Sequence, residues 1–297
     1  MKIRVPNRTT LAGVAVTLVA AAAVLVVVLG AGHSGAAAAG ERSAILGEAR
    51  QASLTVDLPA AYTDKVYGAP MARGRPIVVI DAGHGGRDPG ARSISGEVVE
   101  KDLALALARE LRDDLVKRGR VRIAMTRDDD RYLTLDDRAG VARRLGAAMF
   151  VSLHIDSAPN PLARGASVYS LSDVASDAEA AQFAAAENRG SAQGEEGGSV
   201  ESILSDLAMR TQMSASADLA SRLVRKSAGR FEFRPEPHRF AAFYVLRRAQ
   251  TPAVLFEAGY ISNVDDEALL RDPRHRADIA LALAQAIEAD VAARARR

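Results

Sequence analysis

The chain has 297 residues, 48% of them hydrophobic, which is enough for a sizeable packed domain. Its 39 Lys and Arg against 37 Asp and Glu leave a formal charge of +2, so we expect no nucleic-acid partner, which would usually require a basic patch. Cysteine is absent, which excludes disulfides, a thiol nucleophile and any cysteine-ligated metal. Any metal must be held by His, Asp or Glu, and the chain has five histidines.

The N-terminus has the pattern of an export signal. A basic start is followed by an apolar run over residues 11–30 and then by small residues over 35–40. The run is long for a cleaved signal peptide and just long enough to span a bilayer. We therefore predict that residues 1–40 are either a signal peptide or an uncleaved membrane anchor. Both alternatives place the rest of the chain outside the cytoplasm, in the periplasm or cell envelope, with membrane contact only through an uncleaved leader.

The next segment, residues 41–75, is small and polar with weak periodicity, which is typical of a linker. We predict one short helix in it, near residues 43–52. The folded domain is predicted to begin at Pro76 and to occupy residues 76–297.

From Pro76 onward, predicted strands and helices alternate. Short apolar runs predict strands at 77–80, 121–126, 148–153, 166–171, 241–246 and 253–256. Apolar residues on one face predict helices at 100–118, at 135–145 and at the C-terminus, where Ile279, Leu283 and Ile287 recur. This alternation predicts an α/β fold, a single domain with a mostly parallel twisted sheet of about six strands flanked by helices.

A long insertion at residues 173–227 interrupts the alternation. Helical periodicity covers 177–189 and 200–227, while 190–199 is rich in Gly, Ser and Glu and predicts a flexible connection. An insertion of this length in a compact domain is usually functional or disordered.

Chemically active side chains follow three of the predicted strands. His84 follows the first strand in a turn with four glycines, His154 follows the third, and Glu257 follows the last. The carboxyl ends of parallel strands are where α/β sheets bind ligands. The glycine spacing around His84 fits neither a dinucleotide fingerprint nor a phosphate-binding P-loop. We therefore expect a shared catalytic site at this edge of the sheet.

Two histidines and one carboxylate are a ligand set that catalytic zinc accepts, with a fourth position left open. The predicted carboxylate is Glu100, because it lies on the apolar stripe of its helix, where an unpaired charge would be costly. Its alternative role is to interact with the helix dipole, which is the interpretation we adopt for Glu97. We therefore predict zinc bound by His84, Glu100 and His154. The other histidines are predicted not to be ligands, although one could contact substrate (His238); the remaining two are His33 and His275.

Glu257 is the predicted proton carrier of this site. A carboxylate at the end of the last strand could act as general base toward a water and then as acid toward a leaving amine. The alternative is a structural carboxylate paired with Arg247 or Arg248.

Short motifs follow one another along the chain. They are 80–86 (IDAGHGG), 88–91 (DPGA), 100–102 (EKD), 126–127 (TR), Leu135 with Arg138, 151–154 (VSLH), 165–168 (GASV), 252–255 (PAVL) and 257–263 (EAGYISN). In this order they resemble the zinc-dependent N-acetylmuramoyl-L-alanine amidases of the amidase 3 type, from about residue 77 to residue 287. The resemblance implies zinc on His84, Glu100 and His154, and a catalytic Glu257. It also implies hydrolysis of the amide bond between the lactyl group of N-acetylmuramic acid and the L-alanine of the peptidoglycan stem peptide.

The insertion resembles, at residues 184–188, the start of a regulatory segment in the division-associated branch of that family. The resemblance implies a helix that covers the zinc cleft until an activator protein displaces it. A glutamate of the insertion could then occupy the fourth zinc position, and the candidates are Glu187, Glu195, Glu196 and Glu201. The alternative is a solvated surface helix.

Two other functions stay open at this point. One is a catalytically silent peptidoglycan-binding or regulatory module on the same fold, against which the complete ligand set argues. The other is a zinc peptidase acting on stem peptides, which shares the same zinc chemistry.

Overall fold

The computed structural model describes residues 64–189 and 200–296. The predicted leader (1–40), the short helix near 43–52 and the connection 190–199 lie outside the described residues. Across the described ranges, no helix is both long and apolar enough to cross a membrane.

The described chain alternates strands and helices. The strands are β1 (Val66–Tyr67), β2 (Ile77–Ala82), β3 (Arg122–Met125), β4 (Met149–Asp156), β5 (Ala166–Leu171), β6 (Phe233–Ala241) and β7 (Ala253–Tyr260). The helices are α1 (Glu100–Arg118), α2 (Leu135–Leu145), α3 (Ala178–Glu187), α4 (Val200–Ser227), α5 (Tyr244–Arg248), α6 (Val264–Arg271) and α7 (Pro273–Arg294), with a 3-10 turn at Pro70–Ala72.

All seven strands form one sheet in the order β1-β3-β2-β4-β7-β5-β6. The pairs β2–β3, β2–β4, β4–β7 and β5–β6 are parallel, while β1–β3 and β5–β7 are antiparallel. The prediction of an α/β domain with a mostly parallel sheet is confirmed. Since the central strands β2, β4 and β7 run in one direction, their carboxyl ends meet at one edge, where His154 lies opposite Glu257.

The sheet is covered on both faces, because successive strand residues point to opposite sides. On one face, Val78 and Ile80 of β2 pack in a core shared with α1, α4 and α7. On the other face, Val79 and Phe150 pack with residues of α2, α3 and α5. The apolar runs are therefore buried on both sides, as expected for parallel strands.

Helix α1 places the predicted carboxylate ligand. Its buried leucines include Leu103, Leu107 and Leu111, all on the face that packs against the sheet. It begins at Glu100, whose backbone N–H donates to Ala91 O at 2.8 Å. It ends at Gly119, which adopts the left-handed conformation common after a helix C-terminus.

Two predictions of local structure differ from the fold. The strand predicted at 241–246 is wrong, because β6 ends at Ala241 and the apolar run that follows forms α5. β6 lies earlier in the chain, at the sheet edge, where its two prolines need not donate to a second neighbour. β1 and the turn at Pro70–Ala72 fall within the predicted linker, and β1 pairs with β3.

The insertion at 173–227 joins β5 to β6 and contains α3 and α4, so its predicted helices are present. α4 packs on the sheet through buried residues such as Leu219 and Leu223. α3 packs on the opposite face, with Ala180 and Ala184 buried.

Candidate active site and metal centre

The three predicted ligands meet beyond the carboxyl ends of β2 and β4. His84 lies in the turn after β2, His154 lies near the end of β4, and Glu100 begins α1. Glu100 Oε1 lies 3.0 Å from His84 Nε2 and 3.0 Å from His154 Nδ1. One ligand atom from each side chain lies within 4.8 Å of the others. The structure therefore brings the predicted ligand set together.

These residues fit a metal ion. His84 Nε2 is buried and makes no hydrogen bond, although the Glu100 carboxylate lies beside it. The backbone also approaches the ligands closely, since a Cβ on Gly90 would lie 2.5 Å from Glu100 Oε2 and one on Gly83 would lie 2.5 Å from the His154 ring. Two imidazole nitrogens and a carboxylate, without cysteine, form a set typical of catalytic zinc.

The charges of the site depend on one another. Burial alone would lower the pKa of His84, but the carboxylates of Glu100 and Asp88 outweigh it and raise that pKa to about 11. Burial alone would raise the pKa of Glu100, but His84 and His154 hold it well below its usual value. A buried carboxylate charge here therefore requires positive charge beside it, which a metal cation also supplies.

Asp88 orients His84. Its Oδ2 lies 2.9 Å from His84 Nδ1, which leaves Nε2 facing Glu100 and His154. Its Oδ1 accepts from the backbone N–H of Gly90 at 3.1 Å, so the carboxylate is fixed in turn. A carboxylate on the second ring nitrogen is the usual way to set the tautomer and direction of a metal-binding histidine.

Two buried arginines hold the turn that carries His84, which has a φ of 57°, unusual for a residue with a side chain. Arg138 donates to Asp81 Oδ1 at 2.9 Å and to His84 O at 2.5 Å. Arg127 is fully buried and donates to backbone carbonyls around the turn, those of Ala82, Gly83 and Lys101. The sequence motifs include both arginines, but sequence reasoning gave them no role.

Asp81 supports the turn that carries His84, because it pairs with Arg138. It accepts hydrogen bonds from Thr126 Oγ1 at 2.6 Å and Ser152 Oγ at 2.7 Å. Burial alone would raise the pKa of Asp81, but Arg138 and these hydroxyls lower it below its usual value. Removing one partner would leave a buried charge unpaired, which is costly.

Glu257 lies near the end of β7, in register with the candidate ligand His154. Its side chain is fully buried and neither carboxylate oxygen has a hydrogen-bond partner. Burial raises the pKa of Glu257 well above its usual value, and the nearby carboxylate of Asp156 raises it further. Such a group holds a proton readily, as an acid–base catalyst must.

The alternative interpretation of Glu257 as a structural ion-pair partner is wrong. Arg247 pairs with Asp173, and Arg248 pairs with Asp136 at 3.3 Å. Neither arginine is a partner of Glu257 in the described structure.

Other predicted non-ligands are accounted for in the described structure. Glu97 is exposed and pairs with Arg271 at 2.6 Å, whereas Glu100 is the carboxylate that converges with the two histidines. His238 lies between Ser170 and Ser221 hydroxyls and does not line the cavity described below. His275 lies in α7, and His33 is outside the described residues.

Glu187, the last residue of α3, faces His84 and His154. Its Oε2 lies 3.5 Å from His154 Nδ1 and 3.9 Å from His84 Nε2. Burial raises the pKa of Glu187, although both histidines counteract this. Of the four insertion glutamates considered from the sequence, Glu195 and Glu196 lie outside the described residues, as does the side chain of Glu201.

A cavity of about 660 Å³ adjoins the site. One wall carries His84, Glu100 and His154, and α3 covers it with Phe183 and Glu187. The arrangement combines a metal-ligand set, a buried proton-carrying carboxylate and room for a substrate, which together suit metal-assisted hydrolysis.

Comparisons with known proteins agree with this chemistry. The family model described as N-acetylmuramoyl-L-alanine amidase matches residues 78–289. The N-acetylmuramoyl-L-alanine amidase AmiA of Escherichia coli (strain K12) is 34% identical over 234 residues, covering 76% of this chain and 80% of AmiA. The catalytic domain of the amidase CwlV from Bacillus (Paenibacillus) polymyxa var. colistinus has 29% identity and a TM-score of 0.55, covering 71% of this chain and 96% of that domain. The amidase AmiC2 of Nostoc punctiforme has 25% identity and a TM-score of 0.53, covering 75% of this chain and 99% of that one. This chain therefore belongs to the N-acetylmuramoyl-L-alanine amidase family of cell-wall hydrolases.

Proposed function

We propose that the chain is a zinc-dependent amidase that hydrolyses the bond between the lactyl group of N-acetylmuramic acid and the L-alanine of the peptidoglycan stem peptide. The observation that carries this proposal is the convergence of His84, Glu100 and His154 within 4.8 Å, next to a buried and unpartnered Glu257. Family membership supplies the bond that is cut.

The protein residues divide the work of hydrolysis. His84, Glu100 and His154 would hold zinc, which when bound supplies Lewis-acid activation of water and of the scissile carbonyl. Asp88 keeps His84 in its binding orientation. Glu257 takes a proton from the attacking water and delivers it to the leaving nitrogen of L-alanine, so that the amine departs neutral.

The other functions considered from the sequence are less well supported. A catalytically silent module has no need of an orphaned buried carboxylate, which costs folding free energy. A zinc peptidase could use the same residues, but the relatives and the family model bear the name of the amidase.

Digestion of purified peptidoglycan followed by mass analysis of the soluble products tests the reaction. We expect free stem peptides that begin with L-alanine and glycan strands that keep an intact lactyl group. Cleavage within the stem peptide would instead support the zinc peptidase, and no cleavage by zinc-loaded enzyme with α3 displaced would support the silent module.

We further propose that α3 keeps the resting enzyme closed and that Glu187 caps the fourth metal position. Support comes from the position of the Glu187 carboxylate, within 3.9 Å of both histidine nitrogens that face the site. Phe183 of the same helix packs against Tyr169 and Phe243, with ring centroids 5.3 and 5.5 Å apart. Aromatic contacts therefore also hold α3 in place.

Charged contacts support this closed position at the other end of α3. Asp177 caps the helix by accepting from Ala180 N and pairs with the buried Arg239. The carboxylate of Glu179 accepts from both terminal nitrogens of Arg234, each at 3.1 Å. An activator protein of the cell envelope would have to break these contacts to open the cleft.

Export is part of the same proposal, because the substrate lies outside the cytoplasm. The leader at residues 1–40 would carry the enzyme to the periplasm or cell envelope, either as a cleaved signal or as a membrane anchor.

A further inference from the structure

Arg87 is presented on the tip of a rigid turn next to the metal ligands. Gly85 N donates to Asp88 O at 2.9 Å, and Asp88 N donates back to Gly85 O at 3.1 Å. A residue outside the turn also holds its tip, since Gly86 N donates a hydrogen bond to Asp130 Oδ1 at 2.8 Å. The backbone at Arg87 is thus fixed three residues after a metal ligand.

The side chain of Arg87 is exposed and lines the cavity. Its guanidinium lies 4.2 Å from the ring centroid of Tyr132, which is 39% exposed and lines the same cavity. Stacking on an aromatic ring holds the guanidinium plane while leaving its N–H groups free at the edge. Within the described ranges, the Arg87 side chain has no ion pair or hydrogen bond.

The other two arginines that line the described cavity are less available to a ligand. Arg138 is buried and pairs with Asp81 at 2.9 Å. Arg189 belongs to the insertion, just after α3, and would move away from the cavity when α3 is displaced. Of the three arginines that line the described cavity, Arg87 is therefore the one that lies outside the insertion and has no ion pair.

The cavity wall carries five carboxylates, which are those of Asp81, Asp88, Glu100, Asp156 and Glu187. These carboxylates repel an anionic substrate group, so such a group needs a cation that is not already paired. A stacked arginine with free N–H groups suits a carboxylate, which it can bind through two parallel hydrogen bonds.

The proposed substrate carries such a group one residue beyond the scissile bond. L-Alanine is followed in the stem peptide by D-glutamate linked through its side chain, so that its α-carboxylate is free; amidation converts this group to a neutral amide. One further residue extends the chain by at most about 3.6 Å, so this carboxylate would lie in the same cavity that Arg87 lines.

We propose that Arg87 binds the free carboxylate of the second stem-peptide residue and makes the enzyme select acidic over amidated stem peptides. This inference rests on the proposed amidase function, because it assigns a substrate group to the same cleft.

Two synthetic muropeptides that differ only at the second residue, D-glutamate or D-isoglutamine, test the inference with the zinc-loaded full chain. We expect wild type to cleave the acidic substrate with a kcat/KM about tenfold higher. R87Q should lose about tenfold on the acidic substrate and little on the amidated one, and R87K should lie between them. Because the two substrates are compared within each variant, any effect of the cover or of folding cancels from the ratio.

The matched control is R274Q, a substitution of an exposed arginine of α7 that does not line the cavity. It should keep the wild-type substrate ratio. An equal loss of R87Q on both substrates, or equal cleavage of both by wild type, would overturn the role of Arg87 while leaving the amidase function standing. Cleavage of neither substrate by wild type with α3 displaced would overturn both.

Discussion

At the scale of single residues, the carboxylate of Glu257 is fully buried without a hydrogen-bond partner. Burying a polar group without a hydrogen bond costs free energy, and Glu257 has two unpartnered oxygens. Asp81, by contrast, is buried with three side-chain partners, one of them the guanidinium of Arg138. This contrast supports the proposed catalytic role of Glu257.

Replacing Glu257 by glutamine tests that role. The amide keeps the shape of the side chain but cannot accept a proton, so kcat should fall about 10²- to 10⁴-fold. Muropeptide release measures the rate, and metal analysis of the same sample should find zinc content unchanged. Loss of zinc from E257Q would make Glu257 a ligand, and near-normal turnover would remove it from the mechanism.

The convergence of His84, Glu100 and His154 could be predicted from sequence because each residue follows a buried strand or begins a buried helix, which is local information. The residues that hold them in place could not be predicted, since Arg138 and the His84 carbonyl that it binds are 54 positions apart in the sequence. Asp88 is a partial exception. It follows His84 by only four residues in a glycine-rich turn, so the local sequence could predict their hydrogen bond. Glu187 could not be separated from three other glutamates, because only tertiary packing places α3 over the site.

At the scale of elements, α3 is held at both ends by different chemistry. Its N-terminal end is bound by ion pairs to Arg234 and Arg239 of β6, and its last residue faces His154. A helix of ten residues is marginal in isolation, so its position depends on these contacts. This makes α3 a good candidate for an element that is displaced as a unit.

Replacing Glu187 by glutamine should open the site. The substitution removes the charge that faces His84 and His154 while keeping the side-chain volume, so basal peptidoglycan hydrolysis should rise about fivefold or more. The rate of dye release from labelled peptidoglycan measures this without an activator.

E195Q and E196Q are matched controls from the same insertion and should leave the basal rate unchanged. A rise in either control equal to that of E187Q would show that any loss of negative charge loosens the insertion. An unchanged rate in folded E187Q would mean that Glu187 does not hold the site closed.

The contact between β6 and α4 should be sensitive to acid. His238 lies between Ser170 Oγ, 2.9 Å from Nε2, and Ser221 Oγ, 3.3 Å from Nδ1. A neutral imidazole can donate to one hydroxyl and accept from the other, and burial lowers the pKa of His238 below its usual value near 6.5. The unfolded chain therefore binds this proton more readily, so stability is lost as the pH falls below about 6.5.

H238Q should reduce this acid sensitivity, because glutamine does not titrate. Thermal unfolding of wild type and variant at pH 8 and pH 5 measures it, and the fall in Tm between the two values should be smaller for H238Q. An equal fall in both proteins would contradict the assignment.

Elements with a clear period could be predicted, as α1 was from its repeating leucines. The error at 241–246 arose because a short apolar run suits a buried strand or a buried helix equally well. The structure places Val245 and Leu246 in the core as part of α5. β6 escaped prediction because a proline-rich, half-exposed edge strand lacks a strong apolar pattern.

At the scale of the whole molecule, strand order explains why distant segments share one site. β2, β4 and β7 are neighbours in the sheet, although β7 lies about a hundred residues after β4 in the sequence. Because these strands are parallel, His84, His154 and Glu257 lie at the same edge of the sheet. The insertion between β5 and β6 then returns α3 to that same edge. The fold class could be predicted from the alternation of elements, whereas the strand order could not.

We propose that these strand ends hold a zinc ion that the protein itself caps at rest. Anomalous diffraction at the zinc edge from crystals of the zinc-loaded full chain tests it most directly. We predict one zinc ion bound by His84, Glu100 and His154, with the Glu187 carboxylate in the fourth position. Zinc bound elsewhere would contradict the assigned site, and a fourth position held by water with Glu187 turned away would contradict the cap.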